Sequence, residues 1–442
     1  MKLWGYIRQK MLEHPTQTIS EKSVTMTYQE ILDKVDCFSL QLNGIERCAI
    51  YCQSELFAAI ALLSCFAAGT TAVPLPSRYG DKYCRKIIEK VQPTSIIMDA
   101  FGELTVHTSE GDHDKTPGKP ALIMCTSGTT GTPKGIQLSD KNILTNARDI
   151  ANYFLIDSQD TMLIARPLYH CAVLTGELVV SLIKGSKIVF CSEPIQAPFI
   201  YRTICENHIT AFCGTPTLLN MMTRFMRFGY SDALRHIVIS GECMSKETGE
   251  NIRQHFPTAN IYHVYGLTEA SPRVSYLPPK YFDEAPDAVG IPLPSVKLRI
   301  LNNRGEKVKK GKCGVLWVKG NNVMKGYYND EERTAAVLRK GWLCTGDIAY
   351  IDNNGWLHIK GRNDNMIIRA GMNIYPQEIE AALKKDSRTG EVLVFGKRKS
   401  NGDTQICVKI SGTFPNKESV RELCCDVLPS FQVPAEIELV SE

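Results

Sequence analysis

Residues 121–139 read ALIMCTSGTTGTPKGIQLS, and the fold turns on how this stretch is parsed. The run ALIMC (121–125) is apolar and strand-like. It feeds straight into CTSGTTGTPKG (125–135), which cannot be a helix, because Gly and Pro are the poorest helix formers. That loop is also too polar and interrupted for a central strand. GIQLS (135–139) then returns to a strand pattern. The whole is strand, loop, strand. Gly128 and Gly131 let the backbone take positive φ, so that successive N–H groups point into one concavity that binds anions. The hydroxyls of Thr126, Ser127, Thr129 and Thr130 add donors, and Lys134 adds a point charge. The ligand such a cradle suits is a polyphosphate. It is not a nucleotide loop of the G-x-x-x-x-G-K-[ST] kind, which opens a helix; here Pro133 precedes the lysine and a strand pattern follows. A solvated loop joining two strands is the plainer alternative.

The surrounding chain sets the scale. It has 442 residues, 43% of them hydrophobic, enough for a large core and more than one domain. Fifty-one Lys and Arg face 47 Asp and Glu, without a basic stripe, so no nucleic-acid partner is expected. The 16 cysteines include no Cys-x-x-Cys pair, and Cys65, Cys191 and Cys213 sit in apolar runs. They read as small buried hydrophobes of a reducing compartment, with no zinc-ligand spacing. The N-terminal MKLWGYIRQKMLEHP turns polar too soon for a signal peptide. LFAAIALLSCFAAGTTAVPL, from Leu56, is broken by Gly69, Thr70, Thr71 and Pro74. It reads as a buried helix followed by a short strand and not as a span, which needs ~20 continuous apolar residues. The expectation is a soluble, cytoplasmic protein with no membrane span.

Helical and strand patterns alternate through the first two thirds. YQEILDKVDCFSLQLN, YCRKIIEKV, GELVVSLIKG and TLLNMMTRFMRFG are helical. CAIYC, SIIMDA, SKIVFC and LRHIVIS are strands. That grammar belongs to parallel sheets covered by helices. Around residues 285–360 it changes to short strands, KLRIL and GVLWVKG, separated by NNRG, KKGKCG and DNNG turns, as in an antiparallel or barrel-like element. After the polar GRNDN (361–365) come YPQEIEAALKK and NKESVRELCCDVL, both helical, around the strands TGEVLVFGK and DTQICVKIS. These make a compact α+β unit.

The string Thr126-Ser127-Gly128-Thr129-Thr130-Gly131-x-Pro133-Lys134-Gly135 resembles the phosphate loop of the adenylate-forming superfamily. That superfamily comprises acyl- and aryl-CoA synthetases, peptide-synthetase adenylation domains and firefly-type luciferases. The resemblance runs in order from MTYQEI at Met26 to the C-terminus. It implies an α/β fold. Residues 1–361 are expected to form a large N-terminal domain of two parallel-sheet subdomains plus a small β-barrel. Residues 362–365 are expected to be a hinge, and 366–442 a small mobile α+β cap.

The resemblance also assigns roles. In VYGLTEAS (264–271), Glu269 is expected to hold Mg²⁺, a hard cation that takes carboxylate oxygens. Thr268 would donate to the α-phosphate, Tyr265 would flank the adenine, and the Gly266 backbone would lie near the substrate carboxylate. ISGECM (239–244) resembles the adenine-pocket segment, with Ser240, Gly241 and Glu242 along the base. In GWLCTGD (341–347), Asp347 would accept both ribose hydroxyls, for which two carboxylate oxygens are suited; Arg362 would also reach the ribose or phosphate. In PLYHCAVLTGEL (167–178), His170 would sit beside the acid tunnel, its alternative being a histidine satisfied in the core. The carboxylate that amino-acid-activating members carry here is matched by nothing but Glu177, whose placement differs, so an amino-acid substrate is disfavoured. Arg166 and Arg273 lie near the motifs and could favour a second carboxylate, although surface or structural roles are the plainer expectation. In NDNMIIRAGMNIYPQEIE (363–380), Asp364 falls at the hinge, Gly371 lies on the thiol tunnel, and Tyr375-Pro376 opens a helix.

The implied chemistry has two steps. A carboxylate is a poor acyl donor, and transfer to the α-phosphate of ATP gives an acyl-adenylate with AMP as its leaving group. A thiol then attacks the acyl carbonyl. The expected co-substrates are ATP with Mg²⁺, a small-molecule carboxylic acid, and coenzyme A. The alternative acceptor is the phosphopantetheine of an acyl carrier protein. The family places a catalytic lysine shortly after a segment like LPSFQVPAEIELVSE. No residue here matches it before Glu442, so the sequence reads as truncated ahead of that lysine. A nucleotide-binding protein with impaired adenylation is the third reading.

Overall fold

The computed structural model describes residues 2–108, 119–126, 133–191, 195–226, 233–302, 304–362, 367–369, 372–374, 376–399 and 404–440, with the backbone alone at residues 362, 368, 373, 377, 378 and 381. Two mixed sheets carry the larger part of the chain. The first has nine strands, in the order Ile291–Pro292, Arg273–Leu277, Asn260–Gly266, His236–Ile239, Ala211–Gly214, Thr161–Ile164, Lys187–Phe190, Thr18–Glu21 and Val24–Thr27. Its inner pairs are parallel, and antiparallel strands close both edges. The second has seven, in the order Gly326–Tyr327, Lys134–Leu138, Leu122–Thr126, Thr71–Pro74, Arg47–Tyr51, Ser95–Ala100 and Glu103–Thr108. It too is parallel within and antiparallel outside. The fully buried strands Ala211–Gly214 and His236–Ile239 show why the sequence lacks alternation there: both faces are covered.

The run that mimics a membrane segment is the helix Glu55–Ala68, buried from Glu55 to Phe66 except at Ala58. Ser54 caps its start by accepting from Phe57 N–H, and Gly69 ends it in the left-handed region. An apolar surface on all sides is what burial between layers demands. Among the described residues no helix is long and apolar enough to cross a membrane.

A half-barrel follows as an antiparallel sheet of Val296–Leu301, Gly314–Gly320, Trp342–Ile351 and Leu338–Arg339, with Leu357–Arg362 paired to Trp342–Ile351. The remaining residues carry a separate core of Ile374, Ile379, Leu383, Val394, Ile406, Val408 and Val420, among others. There the helices Pro376–Leu383 and Lys417–Val427 cover the strands Thr389–Arg398, Thr404–Gly412 and Glu436–Leu439. Glu436–Leu439 and the ribbon Ile367–Arg369 with Met372–Ile374 are additions to the sequence expectation. Four residues pairing in parallel with a strand some 30 positions earlier leave no local signature.

One element departs from its expected form. GELVVSLIKG was expected as a plain helix; residues Leu174–Val179 are instead a π-helix that reverts to α over Val180–Lys184. Such segments are rare and cluster at functional sites.

Candidate active site

The strands Leu122–Thr126 and Lys134–Leu138 pair antiparallel with Thr126 opposite Lys134, which brings both ends of the Gly-rich loop together. A strand, and no helix, follows Lys134, as the sequence implied. Ser127, Gly128, Thr129, Thr130 and Gly131 lie outside the described residues. The edge strand Gly326–Tyr327 adds to Ile136 and Gln137. Its Tyr327 ring lies under the Lys134 ammonium, 5.9 Å from the centroid. The same Tyr327 donates its hydroxyl to Glu269 Oε1 at 3.0 Å. One side chain thus joins the loop lysine to the carboxylate of the YGLTE turn. Sequence reasoning missed it; the available signal was the pair Tyr327-Tyr328 after Gly326, just before an Asp330-capped helix start. Tyr327→Phe is expected to lower kcat/KM about tenfold through a disoriented Glu269, with stability changed by about 1 kcal/mol. Steady-state kinetics beside a urea melt check this.

The turn that presents Glu269 is held from two sides. Strand Asn260–Gly266 ends where its partner Arg273–Leu277 begins, with a bulge at Tyr265/Gly266. Leu267 N–H donates to Pro272 O at 2.8 Å, closing the turn around Thr268–Ala270. Asn322 donates to Ala270 O at 2.9 Å, and Met324 N–H to Glu269 O at 2.9 Å. Segment 322–327 therefore fixes the Glu269 backbone and, through Tyr327, its carboxylate.

Asp347 is buried in strand Trp342–Ile351, directly opposite Arg362 in the ladder. Its amide donates to Thr345 Oγ1 at 3.1 Å, and Thr345 donates to Leu316 O at 2.9 Å. Tyr265, expected beside the adenine, donates its hydroxyl to Asp347 Oδ2. The YGLTE turn and the TGD strand are thereby linked. Ser240 is buried at the end of strand His236–Ile239, its amide donating to Gly214 O at 3.0 Å, and Gly241 follows at φ +93°. Glu242 Oε2 accepts from Thr217 Oγ1 at 2.6 Å and Thr217 N at 3.2 Å, at the start of helix Pro216–Thr223 where the dipole favours an anion. Asp364 and Gly371 lie outside the described residues.

His170 precedes the short helix Cys171–Val173 and meets the Tyr169 ring at 4.6 Å. Burial, with the charges of Arg166 and Arg78, pushes its imidazole down to about 3. It is therefore neutral at physiological pH. Because the folded value lies below the ordinary 6.5, protonation favours the unfolded chain, and the stability this residue contributes is lost as pH falls from about 6.5 toward 3. His170→Phe is expected to flatten the acid limb of unfolding free energy in that window, as measured by urea melts at stepped pH. A residual slope from His263, held at about 4 by burial, stays. Beyond His170, an aromatic contact chain reaches the C-terminal unit. Tyr169 lies 5.4 Å from Tyr79, and Tyr79 lies 4.6 Å from Phe431 and donates to Met372 Sδ at 2.6 Å.

Arg166 and Arg273, expected at the surface or in structural roles, are enclosed. Arg166 pairs with the buried Glu177 at 2.7 Å, and Arg273 is buried as well.

The donor set suits a magnesium nucleotide. An ammonium stands at the mouth of the Gly-rich loop. A carboxylate oriented through a single oxygen suits a hard cation, and a second, buried carboxylate suits a diol.

Comparison with known proteins bears on this arrangement. The family model described as AMP-binding enzyme matches residues 7–328. Among curated relatives, a long-chain-fatty-acid–CoA ligase of Haemophilus influenzae is 32% identical over 330 residues, 73% of this chain and 58% of that protein. An indoleacetate–CoA ligase of Aromatoleum aromaticum is 31% identical over 331 residues, 74% and 64% of the respective chains. The chain thus spans less than two thirds of the length of these relatives. Among solved structures, the o-succinylbenzoate CoA synthetase of Bacillus subtilis bound to the product analogue OSB-NCoA, a double mutant, superposes with a TM-score of 0.87 at 25% identity, over 100% of this chain and 95% of that one. The same protein with ATP and magnesium gives 0.71 at 25% identity, over 98% and 95%.

Proposed function

Because the chain belongs to the AMP-binding enzyme family, we propose that it activates a carboxylic acid with ATP as an acyl-adenylate and passes the acyl group to the thiol of coenzyme A. The observation that carries this reading is the junction of Lys134, Tyr327 and Glu269 at the mouth of the loop hairpin. A cation and a carboxylate joined in this way suit a triphosphate chain and its metal.

Lys134, with the hydroxyls and amides of the Gly-rich loop, neutralises the phosphates and fixes the in-line approach of the acid's oxygen to the α-phosphorus. Thr268 donates to that phosphate. Bound at Glu269, Mg²⁺ supplies Lewis-acid charge neutralisation. Asp347 and Arg362 hold the ribose, and Ser240, Gly241, Glu242 and Tyr265 border the base. The Gly266 backbone and neutral His170 border the acid. After pyrophosphate leaves, the thiol attacks the carbonyl and AMP departs with the bonding electrons.

The proposed division is a nucleotide-binding part over 1–361, a hinge at 362–365 around Asp364, and a cap over 366–442 that brings Gly371 to the thiol path. The separate core of the C-terminal unit supports it. The CoA ligases among the relatives support coenzyme A as the acceptor. Sixteen free thiols support a reducing, cytoplasmic setting.

The test is acid-dependent exchange of labelled pyrophosphate into ATP, followed by thioester formation with coenzyme A and with a holo carrier protein offered separately. Exchange together with a CoA thioester is the expected result. Transfer to the carrier protein alone would move the acceptor to the phosphopantetheine arm, and nucleotide binding without exchange for any acid would end the enzymatic reading.

A further inference from the structure

Resting on the acid-activating reading, we propose that Arg273, with Arg166, forms a buried cationic subsite for a second carboxylate, so that the acid taken by this protein is a dicarboxylate. Arg273 is 4% exposed, and Glu177 is 1% exposed. Arg166 Nη2 pairs with Glu177 Oε1 at 2.7 Å, which uses one carboxylate oxygen. Left without hydrogen-bond partners among the described residues are Arg273 Nε, Arg166 Nε, Glu177 Oε2 and Ser275 Oγ. Arg273 forms no ion pair among those residues. Arg166 takes up the paired Glu177 oxygen, so the buried Arg273 guanidinium is left without an ion pair of its own. A buried charge without a counter-ion costs several kcal/mol, on the order that breaking a buried ion pair costs. Clusters of buried unsatisfied polar atoms are rare enough in native proteins to need a reason.

The position of the cluster supplies that reason. Arg273 stands directly opposite Gly266 in the antiparallel ladder, and Ser275 stands opposite Tyr265 across the bulge. The backbone of Arg273 therefore starts at the point where the reacting carboxylate belongs. Its side chain runs toward the π-helix Leu174–Val179: a Cβ placed on Gly176 would meet Arg273 Nη2 at 3.1 Å. Glycine and the widened π turn together make room there for the guanidinium. At the other end of the cluster, Arg166 feels the charge of Glu242, and the thiol of Cys171 lies within electrostatic reach of both Glu269 and Arg273. The cluster thus lies between the two proposed nucleotide-site segments and beneath the acid path. An alkyl tail directed here would bury those guanidinium groups against methylene groups. A second carboxylate would pair with Arg273 and accept from its unpartnered Nε–H through a charge-assisted fork.

The experiment compares diacids with monoacids of equal carbon number on the full chain. The pairs are succinate with butyrate, glutarate with valerate, adipate with hexanoate, and phthalate with o-toluate. Acid-dependent pyrophosphate exchange gives kcat/KM, and calorimetric titration in the presence of AMP gives affinity. Wild type is expected to favour the best diacid over its monoacid partner at least tenfold. Arg273→Met is expected to bring that ratio below threefold, and Arg273→Lys to leave it intermediate, because the charge survives while the fork is lost. A preference of wild type for monoacids overturns the inference and leaves acid activation standing. So does an Arg273→Met variant that lowers both acids alike. Absence of exchange and of binding with every acid overturns the acid-activating reading and this inference with it. The wild-type ratio decides the matter even where a substituted chain does not fold.

Discussion

Glu269→Gln is expected to lower acid-dependent pyrophosphate exchange by about 10²–10³-fold while leaving the unfolding midpoint nearly unchanged. The substitution keeps the shape of the side chain and a carbonyl oxygen that can still accept from the Tyr327 hydroxyl, which now sits 3.0 Å from Oε1. It removes the negative charge that a hard cation requires. Loss of one preorganised electrostatic contact to a developing charge costs about that factor. The backbone of the turn stays tied through Met324 N–H to Glu269 O at 2.9 Å, so the fold has no reason to change. Replacing Lys134 with Met at the same time is expected to add to the loss by less than its separate effect, since both groups act on one phosphate chain. Exchange that survives both substitutions would remove the phosphate role from this hairpin.

Gly266→Ala is expected to cost about 3 kcal/mol and to disable the site as well. A Cβ at this position would lie 1.9 Å from the Pro272 carbonyl oxygen and 2.8 Å from its carbon, both backbone atoms that no rotamer can move aside. The bulge between Tyr265 and Gly266 and the Leu267–Pro272 hydrogen bond depend on that approach. Relief of the overlap has to push the two strands apart. Thr268 and Glu269 ride on this turn, and Arg273 faces it, so nucleotide and acid affinity are expected to fall together. A urea melt with a titration of ATP reads both effects. A variant with wild-type stability would mean that the turn yields at no cost, and the tight fit would lose its explanatory force.

How much of this was legible beforehand differs from residue to residue. Strand, loop and strand around Lys134 followed from glycine and proline chemistry alone, and the pairing of Thr126 with Lys134 agrees. The helix from Leu56 could be told from a membrane span by three consecutive interrupting residues. Tyr327 could not be picked out. One Tyr among 17 in the chain carries no mark of contact with residues 58 and 193 positions away. The π-helix was equally hidden. GELVVSLIKG satisfies the α-helical period, and the wider turn coincides with a guanidinium arriving from a distant strand. The enclosure of Arg166 and Arg273, for which surface or structural roles were the plainer expectation, was hidden for the same reason. Arginine is seldom buried unless paired, so composition argues for the surface, and the burial of Arg273 was decided by the strand order around it.

What the sequence by itself determined is the local and the periodic: where strands and helices lie, which loop can turn its amides toward an anion, and which family the chain resembles. These depend on φ preferences and side-chain pattern, which are properties of neighbours along the chain. Only the tertiary structure decided which distant groups meet: Tyr327 with Lys134 and Glu269, Tyr265 with Asp347, and Arg273 with Gly176. Those meetings are set by strand order and register. Both depend on how whole faces pack, and no short stretch of residues encodes that.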